Sequence, residues 1–195
     1  MAPKLLLFFI LFVAMAFFRP TWRLWRRGRV NALVLPRDDS VEGFVGRWFR
    51  AVVAGIFLLL AAMSLGLLPA APAPLPWLEL PATRTAGWIV LVLSLLWVMA
   101  AQARMGSSWR IGIDGASRPP LVRTGVFAIS RNPIFLGMRG SLLGLVLVLP
   151  NAFTLAILVA GDILIQVQVR LREEHLSAAH AHDYERYTTT VRRWI

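Results

Sequence analysis

Apolar side chains along the chain gather in five runs, and the segments between these runs are polar or rich in arginine. A membrane-spanning helix needs about 20 mainly apolar residues, with a lower range near 17. Three of the runs meet this length, while the first and the fourth are short and need interfacial flanks. The pattern predicts an all-α integral membrane protein with about five transmembrane helices. The runs cover approximately residues 5–18, 51–68, 87–103, 134–149 and 151–169.

Only Pro150 and Asn151 separate the fourth run from the fifth. Two helices joined by so short a loop pack as an antiparallel hairpin. We therefore predict a single membrane domain over residues 1–195, with three spans and their loops in 1–103. The remaining part, 104–195, is predicted to contain a polar loop, the helical hairpin and a cytoplasmic tail.

The composition supports a membrane protein and excludes several other classes. Hydrophobic residues make up 57% of the chain and the mean hydropathy is +0.64, which is too apolar for an ordinary soluble domain. A net charge of +11 is typical of nucleic-acid-binding proteins, but here the arginines lie between apolar runs and not on one basic face. Cysteine is absent, which excludes disulfides and cysteine-bound metal. We therefore expect neither a nucleic-acid partner nor a metal site.

Arginine is distributed unevenly among the connections between the runs. Eight arginines lie in 19–50 and five in 104–132, and five more follow residue 169. Segment 69–86 is rich in proline and has one arginine, and the turn between the last two runs is uncharged. Because basic loops face the cytoplasm, the alternation predicts an external N-terminus and a cytoplasmic C-terminus in a bacterial inner (plasma) membrane. The alternative is a signal peptide cleaved near Ala16, which would export the arginine-rich 19–50 segment.

Two charged residues interrupt the hairpin at matching positions. Arg139 lies 11 residues before Pro150, and Asp162 lies 11 residues after Asn151, so both are predicted at the same depth. A lone ion in hydrocarbon costs at least about 2.5–3.5 kcal/mol. Two interpretations follow: an ion pair that joins the two helices, or an Arg139 side chain that lines a substrate cavity.

Small residues form a stripe on the fourth run, at Gly137, Gly140, Ser141 and Gly144. Such small-xxx-small spacing allows helices to approach closely. We predict that the stripe packs within the chain against the fifth run, with a dimer contact as the alternative.

Polar groups suited to chemistry gather at the cytoplasmic end of the hairpin. Pro133 suits the first turn of a helix, which places Asn132 at the N-cap, where its side chain can accept an orphan N–H. Glu173 and Glu174 follow the last run, and the hairpin should return them to the face where that helix begins. Capping alone explains Asn-Pro, and a solvated face alone explains the acidic pair, but their combination indicates a site.

The C-terminal half carries several motifs in a characteristic order. These are "LVRTGVFAISRNPIFLG" (121–137), the hydrophobic hairpin, "REEHL" (172–176) and "HDYERYTTTVRRW" (182–194). Together with "MGSSWRIGID" (105–114), they resemble the isoprenylcysteine carboxyl methyltransferase family, and the same region is similar to phospholipid N-methyltransferases. The resemblance covers about residues 104–195. It implies S-adenosyl-L-methionine as the cofactor, bound at the cytoplasmic end of the hairpin.

The resemblance also implies roles for individual residues. Arg170 or Arg172 corresponds to the family's substrate-side arginine and is the catalytic candidate, while Arg139 is our candidate for contact with the substrate. Asn132 and Phe135 stand where the family usually has histidine and tyrosine. Since asparagine cannot act as a base near neutral pH, position 132 is expected to position the cofactor and not to move protons. The implied cofactor-binding residues are Pro119, Pro120, Leu121, Val122, Phe127, Asn132, Pro133, Ile134, Phe135, Glu173 and Glu174.

Methyl transfer from a sulfonium mainly requires that donor and acceptor are aligned and that water is excluded. A carboxylate acceptor is already ionised and needs only an orienting cation, for which arginine is suited, whereas an amine or a thiol must lose a proton. We therefore expect a membrane methyltransferase acting on an amphipathic, lipid-like or prenylated acceptor, with carboxyl methylation favoured. Tyr184 and Tyr187 are expected to dock the tail over the site. The candidate bases for an amine or thiol are Glu173, Glu174, His175, His180 and His182.

Three alternative functions remain open at the level of sequence. The first is N- or S-methylation of a phospholipid or a small thiol. The second is a membrane protein that binds a ligand or partner without catalysis. The third is an NADPH-dependent sterol reductase, whose Arg-His-Pro-x-Tyr-x-Gly motif looks similar but which has more spans.

Overall fold

The computed structural model describes residues 1–28, 33–34, 38–69, 73–106, 111–112 and 120–195. In these ranges the helices are α1 (Ala2–Val13), α2 (Arg19–Gly28), α3 (Val41–Ser64), α4 (Pro81–Met105), α5 (Pro133–Val148) and α6 (Ala152–Thr190). Among the described residues four helical stretches are long and apolar enough to cross a membrane, and α5 is a shorter apolar helix of 16 residues. The prediction of an all-α, multi-pass membrane protein is confirmed.

The first membrane-spanning stretch runs from α1 to α2 through a π-helical segment, Ala14–Phe18. The Gln102 side chain of α4 donates a hydrogen bond to the Ala16 carbonyl oxygen inside this segment. Irregular turns of this kind occur where a side chain enters the helical hydrogen-bond ladder. Gln102 therefore links the end of α4 to the first span.

Two strands of two residues each, β1 (Leu33–Val34) and β2 (Ile111–Gly112), pair in parallel. The pair joins the connection between α2 and α3 to the connection between α4 and α5. Both arginine-rich connections therefore meet at the same end of the helices.

Local sequence explains where the later helices begin. Ser40 caps α3, because its hydroxyl accepts a hydrogen bond from the Gly43 N–H at 3.1 Å. Asn151 and Thr154 form a reciprocal capping box at the start of α6. Asn132 occupies the N-cap position of α5, but its side chain makes no capping hydrogen bond. The capping role predicted for this side chain is therefore wrong, because the side chain bonds across to α6 instead.

Helices α5 and α6 form the predicted hairpin, with residues 149–151 as the turn. The proline-rich connection between α3 and α4 holds this turn from the side. The Leu75 N–H donates to the Pro150 carbonyl at 3.0 Å, and the Ala152 N–H donates to the Ala73 carbonyl at 2.9 Å. The closed end of the hairpin is thus anchored by backbone hydrogen bonds to an earlier part of the chain.

The small-residue stripe of α5 faces α4. A Cβ on Gly137 would lie 2.5 Å from the Val98 side chain and 3.1 Å from the Ser94 carbonyl oxygen. A Cβ on Gly144 would lie 2.8 Å from Leu91. The stripe therefore packs within the chain, but the prediction that it packs against the last span is wrong.

The contact between α5 and α6 is built the other way round. Here the small residue belongs to α6, since a Cβ on Gly161 would lie 2.6 Å from the Leu142 side chain of α5. Because α6 supplies its own glycine, α5 keeps a bulky side chain on that face and turns its small face to α4.

Buried apolar side chains form two clusters. The larger cluster joins α1, α3, α4, α5 and α6 and includes Leu60, Leu91 and Leu145. The smaller cluster joins the π-helical segment, the end of α4 and Phe127 of a short 3₁₀ turn, Gly125–Ala128. The outer surface of the helices is also apolar. Leu58, for example, is 71% exposed, as expected for helices surrounded by lipid.

Replacement of Gly137 by alanine is expected to destabilise the protein by about 1–3 kcal/mol, because the added methyl group would press against the Ser94 backbone. Gly55→Ala in α3 is the matched control, since nothing lies within 4 Å of a Cβ at Gly55 and alanine is the better helix former. Thermal unfolding in detergent should show a lower midpoint for Gly137→Ala only. Equal midpoints would show that α4 and α5 do not touch at this position.

Candidate active site

An open cleft lies between the loop that follows residue 119, the start of α5 and the part of α6 beyond the apolar run. Its space, including the open mouth, amounts to about 570 Å³. Most of its wall is apolar with a few polar groups, which is typical of small-molecule sites. Pro119 was also predicted to bind the cofactor, and it lies outside the described residues. The other predicted residues that line the cleft are Pro120, Leu121, Val122, Phe127, Asn132, Pro133, Ile134 and Phe135.

Five further side chains complete the lining of the cleft: Met105, Arg131, Arg172, Leu176 and Tyr187. The polar ones are two arginines and a tyrosine, together with the amide of Asn132. No aspartate, glutamate or histidine is among the lining residues in the part of the chain that the structure describes. The described part of the cleft is therefore cationic and has no side chain that acts as a base near neutral pH.

The carboxylate of Glu173 meets the start of α5 beside the cleft. Its Oε1 accepts hydrogen bonds from Asn132 Nδ2 at 2.8 Å and Arg131 Nη2 at 3.4 Å. Its Oε2 accepts from Arg193 Nε at 3.0 Å and Nη2 at 2.8 Å, which raises the pKa of Arg193. The hairpin thus brings Glu173 to Asn132 as expected, and four donors fill the acceptor capacity of the carboxylate.

The tail returns to the site after a break in α6. Ala181 has φ 33° and ψ −109°, values that are not helical, and the chain bends there. Beyond the bend, the Tyr187 hydroxyl donates a hydrogen bond to the Phe127 carbonyl at 2.5 Å. Tyr184 is buried against Tyr187, with ring centroids 6.2 Å apart. The two tyrosines therefore hold the tail against the loop that forms one wall of the cleft.

The structure distinguishes the two arginines that the sequence left equivalent. Arg172 is half-buried, lines the cleft, and makes no hydrogen bond or ion pair with any residue in the described ranges. Arg170 is exposed, and its Nη1 donates to the Gln166 carbonyl at 2.9 Å in its own helix. Glu174 is also exposed. Arg172 and Glu173 are therefore the members of the two pairs that adjoin the cleft.

Arg139 forms the predicted ion pair, with 2.5 Å between its Nε and Asp162 Oδ1. The sequence did not predict a second contact of Arg139. Its guanidinium carbon lies 4.5 Å from the centroid of the Trp194 ring. Arg139 does not line the cleft. Of the two interpretations of Arg139, the ion pair between the helices is present, and any contact with substrate would take place outside this cleft.

Sequence reasoning missed the partners of Glu173 among the arginines. Arg131 and Arg193 are two of twenty arginines, and nothing in their spacing relates them to a glutamate 42 and 20 residues away. The one available indication was that both flank motif positions, Asn132 and Trp194.

Among the residues that the structure describes, no group of three or more histidine, aspartate or glutamate side chains could hold a metal ion.

The fold defines a multi-pass membrane protein with an open cleft at one end of a helical hairpin. The sequence profile of the phospholipid methyltransferase family matches residues 82–181, from the start of α4 to the bend in α6. The match covers 100 of the 195 residues, and the chain belongs to this family of membrane methyltransferases, which includes proteins similar to isoprenylcysteine carboxyl methyltransferases. No curated protein and no solved structure shows significant similarity to the chain.

Replacement of Glu173 by glutamine is expected to destabilise the protein by about 3–5 kcal/mol, toward the lower value because Arg193 is partly exposed. The change leaves Arg131 and Arg193 without their counter-charge. Glu174→Gln is the matched control, and as an exposed substitution it should stay within about 0.5 kcal/mol. Chemical denaturation in detergent measures both. A Glu173→Gln protein as stable as the control would show that the cluster contributes no net stability.

Proposed function

We propose that this protein is an S-adenosyl-L-methionine-dependent methyltransferase that methylates the carboxylate of an amphipathic, lipid-like acceptor. The charge of the cleft is the observation that carries the proposal. In the described part of the lining, the charged side chains are Arg131 and Arg172, and Arg172 has no partner there. A partly dehydrated cation without a counter-ion favours an anionic ligand.

The residues present fit the proposed cofactor. Leu121, Val122 and Phe127 supply an apolar wall of the kind that covers a nucleoside. Asn132 Oδ1 accepts no hydrogen bond from the described residues, and its amide nitrogen is held by Glu173. In the proposed complex this oxygen would accept a hydrogen bond from the cofactor's amino group, while Glu173 holds the Asn132 amide. When bound, S-adenosyl-L-methionine would supply the activated methyl group.

The Glu173 carboxylate acts on the cofactor through Asn132 in this proposal. Both of its oxygens already accept two hydrogen bonds, so a direct contact would require the loss of one of these donors. Glu174 is exposed and would take no part. The proposal thus keeps Glu173 and Asn132 of the predicted cofactor residues as a linked pair.

Carboxyl methylation requires no proton transfer by the protein. An ionised carboxylate carries its own nucleophilic oxygen, and the guanidinium of Arg172 would orient it without removing its charge. Tyr187 cannot act as a base, because its hydroxyl donates to Phe127 and a tyrosine has an ordinary pKa near 10. The protein would contribute alignment and exclusion of water by the apolar walls.

The charge of the connections supports a cytoplasmic position for the cleft. The cleft lies at the end of the helices where the two arginine-rich connections meet, and such connections face the cytoplasm. The N-terminus would then lie outside and the C-terminus inside, in a bacterial plasma membrane. A water-soluble cofactor would enter from the cytoplasm, while the apolar part of the acceptor stays in the membrane.

Arg172→Met is expected to lower kcat/KM for a prenylated or fatty carboxylate at least about 100-fold, since the lost group is a charge-assisted partner of the acceptor. Arg170→Met is the matched control, because Arg170 is exposed and bonds only to its own helix, and it should retain activity within about twofold. The assay follows labelled methyl from S-adenosyl-L-methionine into lipid extract. Base treatment of the product should release the label as methanol, because a methyl ester is hydrolysed and an N- or S-methyl group is not.

A binding measurement on the same variant distinguishes a contact of Arg172 with the acceptor from a contact with the cofactor. Calorimetry with the demethylated cofactor should give the same dissociation constant for Arg172→Met and the unchanged protein. If binding of the demethylated cofactor falls instead, Arg172 holds the cofactor's own carboxylate and the carboxylate acceptor loses its support.

N-methylation of a phospholipid amine is the second candidate, since the matching family is that of phospholipid methyltransferases. It requires loss of a proton from the amine, and no base lines the described part of the cleft. Base-stable label in a phospholipid product would favour this candidate over carboxyl methylation.

A further inference from the structure

The last five residues of the chain, 191–195, contact the site without lining the cleft. Arg131 holds their backbone twice, because its Nη1 donates to the Val191 carbonyl at 3.3 Å and its backbone N–H donates to the Arg192 carbonyl at 3.0 Å. The Ser130 hydroxyl donates to the Arg193 carbonyl at 3.3 Å. We call residues 191–195 the C-terminal clamp. Arg131, which lines the cleft, is therefore held by a segment that does not.

The clamp also determines how the Glu173 carboxylate is oriented. Arg193 bonds to Oε2 through both Nε and Nη2, which leaves Oε1 to face Asn132 and Arg131. Without this pair of donors the carboxylate would be held at Oε1 alone, and its orientation would be less fixed. Arg193 is thus one step removed from two cleft-lining side chains, and its effect on them passes through Glu173.

Trp194 anchors the clamp on the hairpin. Its ring stacks on the guanidinium of Arg139 at 4.5 Å, and Arg139 is itself held by Asp162. A cation–π contact strengthens where water is excluded, and Trp194 is partly buried against the larger apolar cluster. The chain end is therefore fixed to a charged pair that belongs to both helices of the hairpin.

We propose that Arg193 and Trp194 are positioning residues of the methyl-transfer site. Trp194, seated on Arg139, keeps Arg193 on Glu173, and Glu173 then holds Asn132 and Arg131 in the orientation that receives the cofactor. The Arg139–Asp162 pair acquires a role in this scheme as the anchor of the clamp. The proposal rests on the proposed function for its ligand.

Two substitutions of Trp194 separate stacking from simple burial. Trp194→Leu keeps an apolar side chain and removes the ring, whereas Trp194→Phe retains a ring that can stack on Arg139. Calorimetry of the demethylated cofactor should show about tenfold weaker binding for Trp194→Leu, and binding within about threefold of the unchanged protein for Trp194→Phe. With the acceptor saturating, the effect should appear in KM for the cofactor more than in kcat. Equal weakening by both variants, or none by Trp194→Leu, would overturn the proposal.

Amide hydrogen exchange provides a readout that does not depend on the ligand. The Arg131 N–H is bonded to the Arg192 carbonyl, so Trp194→Leu should speed exchange at 130–132 and leave 140–148 of α5 unchanged. Uniformly faster exchange throughout α5 would indicate general destabilisation and would contradict a positioning role.

The role of Arg193 can also be tested by calorimetry, with a disruptive and a conservative substitution. Arg193→Gln removes the positive charge that faces Glu173. Arg193→Lys retains a positive charge but lacks the planar guanidinium, so we expect it to bind the cofactor more tightly than Arg193→Gln and less tightly than the unchanged protein. If the unchanged protein binds neither S-adenosyl-L-methionine nor its demethylated product, the proposed function fails. The exchange experiment would still decide whether the clamp orients residues 130–132.

Discussion

The structure of the C-terminal half depends on one carboxylate. Glu173 is 9% exposed and joins three segments that are far apart in the chain: the entry to α5, the polar part of α6 and the C-terminal clamp. A buried charge is tolerated only with good partners, and here two arginines and an amide provide them. Because these partners come from different segments, the polar end of the hairpin includes a residue of the tail, Arg193.

The same constraint explains why the polar site lies at the end of the hairpin and not within it. Inside the apolar hairpin the charged residues are Arg139 and Asp162, which neutralise each other, and the ring of Trp194 packs on the Arg139 guanidinium. At the end of the run, by contrast, Arg172 is left without a partner in the described ranges and lines an open cleft. An unpaired cation at this position can be reached by an anionic group from the lipid or from water.

Membership of the phospholipid methyltransferase family is in accord with the chemistry that the cleft can support. Methyl transfer needs alignment more than proton transfer, and the described lining consists of apolar walls, two guanidinium groups, an amide and a phenol. Asn132, which stands where the family usually has histidine, links the cleft to Glu173 through its amide. Under the proposed carboxyl methylation the acceptor would already be ionised, so the base that histidine could supply would not be needed.

The spans, the hairpin and the pairing of Arg139 with Asp162 could be predicted from the sequence, because each depends on length, hydropathy and counting from one turn. The family could be predicted as well, since each of its motifs is a short continuous stretch of sequence. The sequence could not show that the stripe at Gly137 faces α4, or that Arg172 and not Arg170 adjoins the cleft. Nor could it show that the side chain of Asn132 bonds to Glu173 and does not cap its own helix. These features depend on how each helix is rotated about its axis and on where the tail returns. Such rotations are decided only when several helices and the chain end pack together, because no local pattern distinguishes one apolar or charged face of a membrane helix from another.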